Sequence, residues 1–199
     1  MTTTASGIVL AGGAGRRMGR DKRAVEVGRR PLLALAVEAV AAVCADVAVV
    51  TGATRPLADT HGARTVLDRR ADAGPLAGLE AGLADARHDL VLVLAGDHPG
   101  AGPRVLRELL RRLSVDEALD GVALGTERGP QPLVAAYRRR VHTITGDLLD
   151  TGERRARALL DHLEFAVLEP ADWHGLDPSG ATAVDLDTPA DVAAWEARR

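Results

Sequence analysis

Short apolar runs alternate with stretches of helical periodicity almost to the end of the chain. That alternation predicts an α/β fold with a mostly parallel sheet. The first strand is expected at Gly7–Leu10, followed by a glycine-rich loop and an Ala-rich helix over Leu32–Val43 that Pro31 could open. A Val-rich strand covers Asp46–Thr51, a short helix Thr54–His61 with Gly62 as its stop, and a third strand Thr65–Leu67. Leu76, Leu79 and Leu83 recur at helical spacing within Pro75–Ala86. The continuous apolar run Leu90–Ala95 reads as a central strand covered on both faces. Beyond it come a helix at Pro103–Leu113, strands at Gly121–Leu124 and Leu133–Tyr137, and helices at Arg138–Leu149 and Arg154–His162. Glu164–Leu168 is a late strand, and Pro189–Arg198 a closing helix capped by Asp187 or Thr188. No repeat or linker interrupts the pattern, so residues 1–199 are expected to form a single domain.

Parallel sheets bind ligands at the carboxyl ends of their strands. Four polar or glycine-rich features fall at such ends: the loop after Leu10, Thr51-Gly52, Asp68 and Asp97. The loop is the richest of them. Leu10-Ala11-Gly12-Gly13-Ala14-Gly15 gives amides that can approach a ligand closely, and five cations follow within Arg16–Arg23. Glycine amides with clustered positive charge suit a polyphosphate. It is not a Walker loop, because Lys22 lies between Asp21 and Arg23. The dinucleotide fingerprint fails too, with Met18 where its third glycine belongs.

Composition narrows the class. The chain is 46% hydrophobic with a formal net charge of −3, an ordinary globule with no basic balance for nucleic acid or an anionic membrane surface. Aromatics make up only 2%, which leaves few platforms for stacking bases and a core of Val, Leu and Ala. Cys44, the one cysteine, reads as a small core residue. The histidines at 61, 88, 98, 142, 162 and 174 show no zinc spacing. Met1–Ser6 carries no signal-peptide pattern and no run reaches membrane length, so a cytoplasmic protein is expected.

The ordered run L-A-G-G-x-G-x-R-M-G-x-D-K around Arg17, Asp21 and Lys22 resembles the signature of nucleotidyltransferases with a glycosyltransferase-A-like fold, most closely the molybdenum cofactor guanylyltransferases. The resemblance covers nearly the whole chain. Gly74-Pro75-Leu76-Ala77-Gly78 resembles the family's G-P-L-A-G element, Asp97-His98-Pro99 its D-x-P turn, and Gln131–Tyr137 its P-L-x-A-x-Y segment. Gly152-Glu153-Arg154-Arg155 resembles a G-E-R-R element, and Asp185-Leu186-Asp187-Thr188-Pro189 the N-x-N-T-P tail with aspartates for both asparagines.

The resemblance implies a three-layer α/β/α sandwich with a twisted, Rossmann-like sheet of the nucleotide-diphospho-sugar transferase type. It implies GTP and molybdopterin as substrates, with molybdoenzyme maturation proteins as further partners. Lys22, Asp97 and Arg17 would be catalytic. Leu10, Ala11, Gly12, Gly13, Gly15, Lys22, Thr51, Asp68, Gly78 and Asp97 would bind the nucleotide. Asp97, with Asp187 as a second ligand, would hold Mg²⁺, Mn²⁺ being the alternative ion. Other readings stay open at several positions. Asp97 is equally placed for an Asx turn before Pro99, and Asp187 for a helix cap. Asp72 competes with Asp68 for the base or ribose, and Thr51 stands where a relative has asparagine. Arg154 and Arg155 are either a phosphate site for the acceptor or an exposed helix start. D-x-D-T-P is also familiar from cytidylyltransferases, so a transferase using CTP, or a phospholactate or sugar-phosphate acceptor, is the near rival. A non-catalytic nucleotide-binding protein that delivers the cofactor is the distant one.

Overall fold

The computed structural model describes residues 4–11, 25–52, 57, 59–68, 70 and 73–198. Its centre is β1 (Ala5–Leu10), with all six residues buried. On one side β1 pairs with β4 (Asp46–Gly52), which pairs with β5 (Arg64–Asp68). On the other side it pairs with β6 (Leu90–Ala95). Beyond β6 lie β8 (Gly129–Arg138), β7 (Gly121–Thr126) and β9 (Phe165–Leu168), giving the order β5-β4-β1-β6-β8-β7-β9. Only β8 runs against its neighbours among the described strands of this sheet, so the expected mostly parallel sheet is what forms. A two-stranded hairpin, β2 (Glu26–Val27) and β3 (Arg30–Pro31), precedes the first helix.

Alternation along β1 splits the core into two layers. Val9 packs with Leu33, Val37 and Val40 of α1 (Leu32–Ala41) and, farther along the same face, with Leu106 and Leu109 of α3 (Pro103–Val115). Ile8 and Leu10 pack on the opposite face with Leu76, Leu79 and Leu83 of α2 (Gly74–Asp85) and Val141 and Leu149 of α4 (Val141–Asp150). Helices on both faces of one sheet make the three-layer sandwich. Each fully buried Leu contributes about 1.5–3 kcal/mol of apolar transfer. Close approach depends on two glycines. A Cβ on Gly7 would sit 2.2 Å from Val40 Cγ1, and one on Gly82 would sit 2.8 Å from Ile8. Cys44 lies in this core, where burial, reinforced by the nearby Asp46 charge, pushes its thiol up to about 12.

Three expected elements differ. Leu57, Asp59 and Thr60 are not helical, and His61 and Gly62 both take positive φ (53° and 86°), which a helix over residues 54–61 would not survive. Residues 53–56 and 58 of that stretch lie outside the described residues. Arg138 belongs to β8, and the helix expected from it starts at Val141. The helix expected at Arg154–His162 is a 3-10 segment over Ala156–His162, because the Glu153 carboxylate takes the amides of Arg154 and Arg155 at 2.8 and 2.9 Å and holds them short of it. A four-residue helix α5 (Pro170–Trp173) and the closing helix α6 (Pro189–Glu196) complete the chain. Among the described residues no helix is long and apolar enough to cross a membrane.

Candidate active site at the strand-end rim

Successive strands run outward from β1 in one direction to β4 and β5, and the chain then returns to lay β6 on the other side. The strand order thus reverses between β1 and β6, and an open α/β sheet binds its ligand in the crevice at such a point. The edges of the crevice are fixed by backbone hydrogen bonds. The Ala11 amide donates to the Val50 carbonyl at 2.9 Å, and the Gly96 amide to the Leu10 carbonyl at 3.0 Å. The end of β1, from which the sequence runs into the glycine loop, therefore lies beside Gly96. Gly12, Gly13, Gly15, Arg17 and Lys22 lie outside the described residues, as does Asp72.

On the β4–β5 side, Thr51 is buried and Gly52 is in register with Asp68. The Asp68 carboxylate accepts the Arg70 amide at 2.8 Å. Burial raises its affinity for a proton above the usual carboxylate value, with the Arg70 amide and charge pulling the other way. Gly78 lies on the sheet-facing side of α2, where a Cβ would stand 3.6 Å from Leu10 Cδ2 and 3.9 Å from Val50 Cγ1. The structure gives it a packing neighbourhood directly beneath the rim.

On the other side, Asp97 follows β6 with its side chain 23% exposed. Its turn closes through the His98 amide to the Ala95 carbonyl (3.3 Å) and the Ala101 amide to the His98 carbonyl (3.4 Å). The tail docks on that turn. The Leu186 amide donates to the Asp97 carbonyl at 3.0 Å, which brings Asp185-Leu186-Asp187 alongside it. The helix cap is Thr188, not Asp187. The Thr188 hydroxyl accepts the Asp191 amide (3.2 Å) and the Asp191 carboxylate accepts the Thr188 amide (2.7 Å), forming a capping box. Asp191 also accepts the Asp187 amide at 3.0 Å. Asp185 approaches Arg128 at 3.7 Å. A groove of about 520 Å³ opens beside the tail, lined by Thr126, Arg128, Gln131, Trp173, Asp185 and Trp195 among others.

The other motif residues serve the scaffold. Tyr137 is buried and its hydroxyl donates to the Pro132 carbonyl at 2.8 Å. Arg154 Nη1 donates to the carbonyls of Leu149 (3.0 Å) and Glu153 (2.9 Å), while Arg155 grips the Glu153 carboxylate and helps hold it down to about 2. The Arg154 carbonyl meets the α2 start, 2.8 Å from where a Cβ on Gly74 would be. Sequence reasoning missed His98 as a site residue. Its ring is buried, Nδ1 lies 3.2 Å from the Thr182 carbonyl and Nε2 lies 3.8 Å from Asp97 Oδ1. The available signal was adjacency to Asp97, since no spaced histidine pair marks it.

The switch point between β1 and β6, with Asp97 at its rim, is a ligand crevice of an open α/β sheet, and the family match makes the chain a nucleotidyltransferase. The chain belongs to the MobA-like NTP transferase domain family, whose model matches residues 7–167. It is 32% identical over 190 residues to a Chloroflexus aggregans protein named probable molybdenum cofactor guanylyltransferase, covering 94% of this chain and 91% of that one. Among solved structures, molybdopterin-guanine dinucleotide biosynthesis protein A from Archaeoglobus fulgidus superposes with a TM-score of 0.84 at 22% identity over 97% of each chain. The Mycobacterium tuberculosis protein Rv0371C, solved in complex with manganese, matches with a TM-score of 0.59 at 19% identity, covering 84% of this chain and 88% of that one.

Proposed function

We propose that this nucleotidyltransferase moves GMP from GTP to the terminal phosphate of molybdopterin and releases pyrophosphate. The observation that carries the reading is the crevice between Ala11, the last residue before the glycine loop, and Asp97, with the activity for which the relatives are named as its second support. An oxygen of the acceptor phosphate attacks the α-phosphorus of GTP, and the bond from that phosphorus to the oxygen bridging it to the β-phosphorus breaks. The acceptor is already anionic, so no Ser, Cys or His nucleophile is needed, and the chain's task is positioning and charge neutralisation.

The amides of Gly12, Gly13 and Gly15, with Lys22 and Arg17, would hold the triphosphate and receive the charge growing on pyrophosphate. Leu10, Ala11, Thr51, Asp68 and Gly78 would border the nucleoside. Asp97 would hold Mg²⁺, or Mn²⁺ in its place, with Asp187, next to the residue whose amide bonds the Asp97 carbonyl, as the second ligand the resemblance implies. Among the described residues no three His, Cys, Asp or Glu side chains converge. A carboxylate at a rim, completed by phosphate oxygens and water, is nonetheless the donor set a hard divalent ion takes in nucleotide sites. Such an ion supplies polarisation of the phosphoryl oxygens and a counter-charge for the leaving group. The reading puts the protein in the cytoplasm, with a molybdoenzyme maturation protein as the receiver of its product.

Turnover with molybdopterin and either GTP or CTP tests the base. GTP should be preferred; preference for CTP would show that the aspartates of Asp185-Leu186-Asp187 go with cytidylyl transfer instead.

A further inference from the structure

The buried histidine beside the proposed metal carboxylate is unused by the mechanism above. His98 is 7% exposed at its side chain, and its Nδ1 stands 3.2 Å from the Thr182 carbonyl oxygen. A carbonyl only accepts, so Nδ1 is the donor to it, and in the tautomer with its N–H there the lone pair lies at Nε2. That nitrogen faces Asp97 Oδ1 at 3.8 Å. The separation is too long for a hydrogen bond. It is shorter than twice a metal–ligand bond of about 2.1 Å, so a single ion can touch both atoms.

The carbonyl that orients the ring is itself fixed. The Thr182 amide and hydroxyl donate to Asp177 Oδ2 at 2.8 and 2.7 Å, and the Gly102 amide donates to the Thr182 hydroxyl at 3.0 Å. The Asp97 carbonyl is held in turn by the Leu186 amide. Two adjacent side chains thus project from a turn tied to the tail at two points. An imidazole that gives its second N–H to a backbone carbonyl is the usual outer-shell arrangement of a metal-binding histidine.

We propose that His98 Nε2, rather than Asp187, is the second protein ligand, beside the Asp97 carboxylate, for the divalent ion of this rim, and that it biases the site from Mg²⁺ towards Mn²⁺. The inference rests on the placement of the ion at Asp97. Mg²⁺ demands oxygen ligands, whereas an imidazole nitrogen adds affinity for first-row transition ions. The residue is therefore a selector of the ion. It moves no proton and forms no bond to substrate.

The test uses the whole protein with Mn²⁺ and inorganic triphosphate, which contains no nitrogen, read by electron spin-echo envelope modulation. Protein with ¹⁵N-histidine should convert a ¹⁴N modulation into a ¹⁵N one, and the signal should vanish in His98→Asn. Asparagine keeps an N–H towards Thr182 but has no lone-pair nitrogen. Mn²⁺ affinity should fall about tenfold in that variant while Mg²⁺ affinity holds, with the melting temperature unchanged. Absence of histidine coupling in the wild type, or coupling that survives His98→Asn, overturns the inference. Asp97→Asn separates the two claims. If Mn²⁺ binding depends on Asp97 yet shows no histidine coupling, the ion site stands and His98 is only a tether. If Mn²⁺ binding ignores Asp97→Asn, the ion placement falls and the inference with it.

Discussion

The two ends of the sheet handle charge in opposite ways. At the amino ends of the strands, Asp46 accepts the Ser6 hydroxyl at 2.8 Å and Arg64 Nε at 2.9 Å, with Arg87 3.6 Å away. Arg138, also at that end, is buried and donates to Asp89 (2.8 Å) and to the carbonyls of Leu113 and Leu119 (3.1 Å each). Cation and anion answer each other there. At the carboxyl ends, the carboxylates of Asp68 and Asp97 sit on turns whose bonds come from backbone amides. Asp46 and Asp68 lie on neighbouring strands and show the contrast directly. Burial works against charge on both. At Asp46 the bonds from Arg64 and Ser6 overcome it, and the carboxyl sits below its ordinary range. At Asp68 burial wins and the carboxyl sits above it. At Asp46 guanidinium and hydroxyl donors outweigh burial, and at Asp68 the amide and charge of Arg70 do not.

Breaking the functional end should affect turnover first. Asp97→Ala should lower kcat/KM by at least about a hundredfold, the scale of losing one electrostatic stabiliser. Its melting temperature should stay near wild type, checked in parallel by thermal denaturation. Breaking the structural end should do the reverse. Arg138→Met removes the donor to the Asp89 carboxylate and to the carbonyls of Leu113, Asp116 and Leu119, and should cost about 2–4 kcal/mol in denaturant titration, with KM for GTP unmoved.

Two glycines sharpen the contrast within one helix. Gly82→Val would drive side-chain atoms into Ile8 and should cost about 1–3 kcal/mol. Gly78→Ala meets only ordinary contact and should gain up to about 1 kcal/mol from helix propensity. A rise in KM for GTP with that gain would mean that Gly78 borders the nucleotide; unchanged kinetics would leave it a packing residue.

The smallest effects should appear as opposite pH dependences. The lowered Asp46 contributes fully above the ordinary value of 3.8, and its contribution is lost as pH falls through its folded-state value. Asp46→Asn should therefore lower the melting temperature at neutral pH, by an amount that shrinks in acid. The raised Asp68 favours the neutral carboxyl, so its contribution is full below 3.8 and fades as pH rises through the folded-state value. Asp68→Asn should raise the melting temperature slightly at neutral pH and not in acid. Parallel melts across pH check both signs.

Legibility in the sequence followed how local each cause was. β6 was readable to the residue because six consecutive apolar positions between polar neighbours admit little else. Asp97 came with it, delivered by the strand. The β2–β3 hairpin was not readable. Its two-residue turn puts Gly28 and Arg29 at φ of 55° and 64°, and an arginine at positive φ carries none of the Asn-Gly signal that announces such turns. The cap stayed open between Asp187 and Thr188 because both are good caps, and Asp191 settled the choice from inside the helix. His98 stayed hidden because its partner Thr182, itself held by Asp177, lies 84 residues away and meets it only in the folded chain.

The central claim is that the glycine loop and Asp97 close on one triphosphate and one divalent ion. A crystal structure with GTP and Mg²⁺ tests it most directly. The account requires the ion about 2.1 Å from an Asp97 carboxylate oxygen and Lys22 in contact with the phosphates. Nucleotide seated away from the β1–β6 crevice, with Lys22 and Asp97 facing opposite sides of the molecule, would contradict it.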